Sequence, residues 1–143
     1  MKIGRFEDLE CWRVARNLNR MIYSLVRRPE YGKDFRLCGQ TTGAAISIMN
    51  NICEGFDAGS TNEFIRFLFY SRRSCSELQN CLYIASDQEY ITKGDFRTAY
   101  ELCEKVRQII DGLIRYLKRS KSARDGLSEP GQRANGQTGQ RKR

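Results

Sequence analysis

Histidine is absent from this chain of 143 residues. Its absence removes the side chain that most often ligates metals and most often acts as a general base near neutral pH. The sequence also lacks any run of about eighteen apolar residues, and its first residues, MKIGRFEDLE, lack the apolar core of a signal peptide. We therefore expect a cytoplasmic protein with neither a membrane span nor a secretion signal.

Close-spaced cysteine pairs of the Cys-x-x-Cys kind are missing as well, although the chain contains six cysteines. All six lie within apolar helical patterns, and a zinc site without histidine would have to consist of thiolates alone. In a reducing cytosol such cysteines are typical small, core-filling residues rather than disulfides. We expect no metal site and no cofactor. The six residues are Cys11, Cys38, Cys53, Cys75, Cys81 and Cys103.

Four amphipathic segments occupy most of the chain, whose length is that of one domain. Each segment repeats apolar residues at steps of three and four, the period of one helical face. Strand patterns and internal repeats are lacking, so we predict an all-α fold, an antiparallel up-down four-helix bundle. The predicted helices run from Phe6 to about Arg27, from after Asp34 to Gly55, from Ser60 to about residue 86, and from Thr92 to about Leu117.

Turn and cap residues separate these segments. Pro29 and the Tyr31-Gly32 turn signal should end the first helix. Ser60 and Glu63 have the spacing of a capping box at the start of the third helix. The second helix is rich in glycine and alanine, and we expect the close approach of a neighbouring helix to offset its low helix propensity.

Half of the net charge of +8 lies near the C-terminus. Residues 120–143 contain six basic and two acidic side chains, are rich in Gly, Gln and Arg, and have no apolar face. We expect this segment to be a disordered basic tail and residues 1–119 to form the bundle. Because the bundle itself is only mildly basic, contacts with nucleic acid would depend on local patches.

Polar residues along one side of the second predicted helix are a candidate catalytic site. Carboxylates elsewhere in the chain could join them, but histidine is absent and no second carboxylate stands at i,i+4 spacing from Glu54. We therefore predict that the protein is not an enzyme and that these residues form buried hydrogen bonds, with Glu63 as a cap. The predicted structural polar residues are Gln40, Ser47, Asn51, Glu54, Glu63 and Glu77.

Arginines recur on the outward sides of two predicted helices. On the first helix they stand at offsets of three, seven and fourteen, and on the third they flank an aromatic residue. Such a stripe can track phosphates, although an ordinary solvated face is the alternative interpretation. The predicted nucleic-acid contacts are Arg13, Arg16 and Arg20 on the first helix and Arg66 and Arg73 on the third.

Phe69 is the exception on the outward side of the third helix, because it is an aromatic residue between two arginines. It could either anchor a subunit interface or provide a platform on which a base stacks. Outward apolar residues on a bundle usually mark protein contacts, so we favour an oligomer interface. Tyr83 lies on nearly the same side and extends the patch.

The stretch QTTGAAISIMNNICEGFDAGSTNEFIRFLFYSRRSCSEL, from Gln40 to Leu78, resembles the hallmark of a bacterial family of four-helix-bundle proteins. Members were recognised as reading frames within intervening sequences of large-subunit ribosomal RNA. They usually carry basic residues where this chain has Thr42, Gly43 and Ala58. The resemblance implies a four-helix bundle that forms a ring-shaped homo-oligomer, typically a pentamer.

Together these features predict a non-enzymatic homo-oligomer that binds nucleic acid, with RNA favoured, through basic helix faces and with low sequence specificity. A ring would repeat a modest patch, and the basic tail would add cationic arms to it. The alternative is a protein-binding scaffold or accessory subunit, for example of a reverse transcriptase, as distant bundle relatives encoded beside retroelements imply. Phosphate binding should weaken steeply with salt, whereas apolar docking should not.

Overall fold

A computed structural model gives the fold and describes the backbone of residues 3–141 and the side chains of residues 3–125. This part of the chain is helical, with one short 3-10 helix and five α-helices. The 3-10 helix spans Phe6–Asp8. The α-helices are α1 (Glu10–Val26), α2 (Pro29–Lys33), α3 (Phe35–Phe56), α4 (Thr61–Asp87) and α5 (Lys93–Arg141).

The four long helices, α1, α3, α4 and α5, pack around one apolar core. Both α3 and α5 pack against α1 and α4, so α1 and α4 lie diagonally opposite one another. Asp34, before α3, accepts a hydrogen bond from Tyr90, after α4, which is the arrangement of antiparallel neighbours. No strand forms within residues 3–141. The predicted all-α antiparallel four-helix bundle is confirmed.

The connection between the first two long helices differs from the prediction. The Tyr31-Gly32 segment is not a simple turn but part of α2, which begins with Pro29 at its first position. Proline suits this position because its missing N–H would have no helical partner there. Tyr31 is fully buried, and its hydroxyl lies 2.8 Å from Oγ1 of Thr41. The sequence did not predict α2 because its five residues are too few to show a periodic pattern. The burial of Tyr31 stabilises this short helix.

Helix starts are fixed by local hydrogen bonds. Oγ of Ser60 accepts from the backbone N–H of Glu63, but the Glu63 carboxylate pairs with Arg66, so only half of the predicted capping box forms. At the start of α5 the box is complete, because Thr92 and Asp95 each accept from the backbone N–H of the other. At the first helix the prediction began too early, because Phe6–Asp8 form a separate turn and α1 begins four residues later.

The interface of α3 and α4 is tight because small residues line it. Oγ of Ser71 donates to the carbonyl oxygen of Ile48 at 2.8 Å, which brings a side chain of α4 against the α3 backbone. A Cβ atom built at Gly55 would lie 2.8 Å from Cβ of Phe67. The close helix approach expected for the second predicted helix therefore occurs at Gly55.

Gly39 and Gly43 do not take part in this close approach. Both are exposed on α3, and a Cβ atom built at either position meets nothing within 4 Å in the described structure. Among the described residues, no close contact at Gly39 or Gly43 offsets the cost of about 1 kcal/mol that each glycine imposes on a helix relative to alanine.

A ladder of side-chain contacts fixes the register of α4 against α5. From rung to rung the residues advance by three or four along α4 and move back along α5, by seven residues at the first step and by three or four at the others, as antiparallel packing requires. The rungs are Phe69 with Lys118, Arg72 with Asp111, Ser76 with Arg107, Gln79 with Glu104, and Tyr83 with Tyr100.

α5 continues past Leu117, where the last helix was predicted to end, and past Arg119, where the bundle was predicted to end. Residues 120–125 are helical, and a guanidinium nitrogen of Arg124 donates to Oγ1 of Thr61 at 2.8 Å, beside the start of α4. The boundary predicted between bundle and tail therefore falls within the helix. The side chains of residues 126–143 lie outside the described part, and the disorder expected there stays a prediction.

Candidate nucleic-acid interface

An arginine row occupies the exposed side of α1, opposite the residues that α1 buries. The apolar side of the helix is buried at Cys11, Ala15, Leu18, Ile22 and Leu25. The intervening positions place arginine side chains in solvent, and the only carboxylate within α1 is its first residue, Glu10. We call the exposed set the α1 arginine row; it consists of Arg13, Arg16, Arg20 and Arg27.

Most of this positive charge has no carboxylate partner among the described side chains. Among residues 3–125, Arg16, Arg20 and Arg27 form no ion pair. The Arg16 guanidinium lies 5.7 Å from the centre of the Trp12 ring, a contact that orients the group without neutralising it. The Arg13 guanidinium donates to a backbone carbonyl, that of Asp8, at 3.0 Å. The row therefore presents oriented, uncompensated charge.

The two arginines predicted on α4 lie in a different environment. The Arg66 guanidinium pairs with Glu63 and lies 5.5 Å from the centre of the Tyr70 ring. Hydrogen bonding with Arg66 lowers the pKa of Glu63, so this carboxylate stays ionised and compensates the arginine. Arg73 forms no ion pair among residues 3–125, and its guanidinium lies 6.0 Å from the centre of the same ring. Of the two, therefore, only Arg66 is compensated by a carboxylate.

The five predicted phosphate contacts do not form a single surface. Arg13, Arg16 and Arg20 lie on α1, Arg66 and Arg73 lie on α4, and these two helices are diagonal in the bundle. One straight nucleic-acid segment therefore cannot lie along both rows of a single chain. Helical periodicity indicated that each row is exposed, but it could not indicate that the rows face opposite sides.

The two predicted interface aromatics are exposed to different extents. Phe69 is 37% exposed, but the Lys118 ammonium lies 5.4 Å from its ring centre. Tyr83 is 52% exposed and packs against Phe96 and Tyr100 of α5, with ring centres 4.9 and 5.8 Å away. The sequence pattern pointed to neither Phe96 nor Tyr100 as a site residue, because contacts between helices carry no sequence signal.

The model of a protein family described as 23S rRNA-intervening sequence protein matches residues 7–112, well over half of the 143-residue chain. The chain belongs to this family. The match spans α1 to α4 and the first 20 residues of α5, so it includes the arginine row and the exposed aromatics Phe69 and Tyr83. No curated protein matches the sequence at a significant level.

The residues that the sequence predicted to form structural polar contacts fall into two groups. Asn51 donates to Oγ of Ser47 at 3.0 Å, and Oγ of Ser74 on α4 lies 2.8 Å from the same Oγ, so this trio links α3 to α4. The buried hydrogen bonds expected for the other members do not form, because Gln40, Glu54 and Glu77 are exposed. Within one chain, only Ser47 and Asn51 of these residues form side-chain hydrogen bonds that connect α3 and α4.

The described residues contain neither a metal-binding cluster nor a membrane-spanning helix. Between residues 3 and 125, no cluster of three or more cysteines and carboxylates has the geometry to hold a metal ion. All six cysteines are free thiols, and burial raises the pKa of Cys11 to about 12, so this thiol is not ionised at neutral pH. In the same part of the chain, no helix is long and apolar enough to cross a membrane.

Proposed function

We propose that this protein binds nucleic acid, RNA in the first instance, along the α1 arginine row and with low sequence specificity. The observation that carries the proposal is the charge of Arg16, Arg20 and Arg27, which are exposed and form no ion pair within residues 3–125. The family description supports RNA because it names ribosomal RNA. The described helices contain no module that reads base edges.

The dimensions of the row suit a short backbone segment. Its ends, Arg13 and Arg27, are separated by about 21 Å along the helix at 1.5 Å per residue. Four phosphate contacts to a single strand correspond to a salt slope of about −2.8, or roughly a 50-fold loss of affinity between 50 and 200 mM salt. Such a site is weak alone and becomes useful when it is repeated.

Repetition would come from a homo-oligomer, for which the family resemblance implies a pentamer. Supporting this, the outer side of α3 is nearly uncharged: Phe35 is 83% exposed and Ile46 is 41% exposed. The exposed Gly39 and Gly43 lie on the same side at helical spacing, where another helix could approach closely. Several copies would multiply the arginine row, so affinity would rise through multivalency.

A protein-binding scaffold, such as an accessory subunit of a reverse transcriptase, is the second candidate function. The observation that favours it is the same exposed apolar side of α3, because exposed patches of this kind mark protein contacts. In that case the occupant of α3 would be a different protein rather than a second copy. Its binding would depend little on salt, which separates it from the first candidate.

The test is the binding of fluorescently labelled 20-nucleotide single-stranded RNA by the purified full chain across a salt series. Two double variants remove the same charge from opposite faces, namely Arg16→Gln with Arg20→Gln and Arg66→Gln with Arg73→Gln. We expect the α1 variant to lower the affinity on the order of 25-fold at 0.1 M salt and the slope by about 1.4. We expect the α4 variant to change both much less.

Equal losses from both double variants would refute a specific role for α1. Absence of RNA binding by the unaltered chain at 0.1 M salt would refute the proposed function itself and favour the scaffold.

A further inference from the structure

Three aromatic side chains form a continuous surface where the end of α4 meets the start of α5. Ring centres are 4.9 Å apart for Tyr83 and Phe96, 5.8 Å for Tyr83 and Tyr100, and 5.4 Å for Phe96 and Tyr100. Tyr83 is about half exposed, and the other two are partly buried. We call these three residues the aromatic cluster.

No cation covers the aromatic cluster, in contrast to several other aromatic rings of the described chain. Cationic groups lie over Trp12, Phe67, Phe69 and Tyr70. Among residues 3–125, no guanidinium or ammonium lies over a ring of the aromatic cluster. Desolvation, with a smaller contribution from Tyr83, raises the pKa of Tyr100, so this hydroxyl is neutral at physiological pH. The cluster is therefore an uncharged, uncovered platform.

Positive charge lies directly beside this platform. Lys93 and Arg97 line a shallow pocket of about 330 Å³ together with Phe96, Tyr100 and the carboxylate Glu101. Both cations are exposed, and within the described side chains neither belongs to an ion pair. They stand one helical turn apart, so they can contact neighbouring groups of one anionic chain.

We propose that the aromatic cluster is a binding site for unpaired nucleotides, whose bases stack on Tyr83 and Tyr100 while adjacent phosphates contact Lys93 and Arg97. This inference rests on the proposed function and adds a ligand preference to it. In a double helix the base faces are already stacked, so only a single strand, loop or end can use the platform. The α1 arginine row, in contrast, contacts phosphates of either form.

Charge complementarity favours a nucleic acid over a protein at this surface. An apolar protein contact would leave Lys93 and Arg97 at its edge without function, whereas each nucleotide supplies both a planar face and a phosphate. Glu101 adds an acceptor that exocyclic amino groups of bases can donate to. The cluster also lies at the end of the bundle where Arg28, just after α1, pairs with Asp95 of α5.

The test compares a 12-nucleotide single-stranded RNA carrying one 2-aminopurine with a 12-base-pair RNA duplex, using the full chain. Tyr83→Leu removes the most exposed ring, and Tyr83→Phe is the matched control that keeps it. We expect Tyr83→Leu to weaken single-strand binding about tenfold or more and to abolish the quenching of 2-aminopurine that stacking causes. Duplex affinity should stay within twofold, and Tyr83→Phe should resemble the unaltered chain.

The outcomes separate this inference from the proposed function. If the unaltered chain binds the single strand but Tyr83→Leu changes neither affinity nor quenching, the site is refuted and the arginine row stands. Equal losses for single strand and duplex would also refute it, since a stacking site affects only unpaired bases. If the unaltered chain binds neither RNA, both the inference and the proposed function are wrong. Circular dichroism melting checks that the variants fold.

Discussion

The same substitution at three glycines of α3 should change stability in opposite directions. At Gly55 an added Cβ would lie 2.8 Å from Cβ of Phe67 and 3.3 Å from the carbonyl oxygen of Phe64. Both atoms belong to or adjoin the α4 backbone, so relief requires the helices to move apart. At Gly39 and Gly43 an added Cβ meets nothing within 4 Å in the described chain.

The expected magnitudes follow from these distances. Overpacking of a tight interface costs about 1–3 kcal/mol, and the gain in helix propensity offsets at most about 1 kcal/mol of it. Gly55→Ala should therefore destabilise the protein by about 1–2 kcal/mol. Gly39→Ala and Gly43→Ala should each stabilise it by about 0.5–1 kcal/mol, because alanine lowers the backbone entropy of the unfolded chain.

Urea unfolding followed by circular dichroism measures these differences as shifts of the midpoint at constant slope. The stability of an oligomer depends on protein concentration, so all variants are compared at one concentration and again after tenfold dilution. Equal stabilisation by alanine at the three positions would refute the reasoning, because it would mean that α4 does not approach α3 closely at Gly55.

Two further predictions concern single hydrogen bonds. Hydrogen bonding with Arg28 lowers the pKa of Asp95 to about 2, so the ion pair contributes to stability above about pH 4, and this contribution is lost as the pH falls toward 2. In Asp95→Asn, the urea midpoint should therefore fall less between pH 5 and pH 2 than in the unaltered chain. An equal fall in both proteins would contradict the pairing. The hydroxyl of Tyr31 lies 2.8 Å from Oγ1 of Thr41, which itself donates to the carbonyl oxygen of Leu37; Tyr31→Phe should cost only about 0.5–1.5 kcal/mol of unfolding free energy, and a loss above about 3 kcal/mol would show that Thr41 is left unsatisfied.

The four long helices were predictable because their signals are local. Apolar spacing of three and four residues reports the buried side of each helix, and polar caps such as Thr92 with Asp95 report where a helix begins. α2 was missed for the complementary reason. Its five residues are too few for a periodic pattern, and the burial of Tyr31 that stabilises it depends on contacts with α3.

The candidate sites were only partly predictable, because they depend on which helices are neighbours. Sequence spacing shows that Arg16 and Arg66 are both exposed, but the diagonal arrangement of α1 and α4 separates them. Likewise, Tyr83 was visible as an outward aromatic, whereas its partners Phe96 and Tyr100 join it only across the interface with α5. Periodicity gives the exposed side of one helix, and a surface made by two helices requires their packing.

The exposed glycines of α3 connect the stability measurements to assembly. If Gly39 and Gly43 only face solvent, alanine at either position should raise the unfolding midpoint and leave the oligomeric state unchanged. If they receive a helix of another copy, an added methyl group would push that helix away, because close approach there requires the missing Cβ. We therefore expect Gly43→Ala to shift the chain toward smaller species in sedimentation velocity while each subunit becomes more resistant to urea. Stabilisation without any change in sedimentation would remove α3 as the contact between copies and leave its apolar side to a different protein.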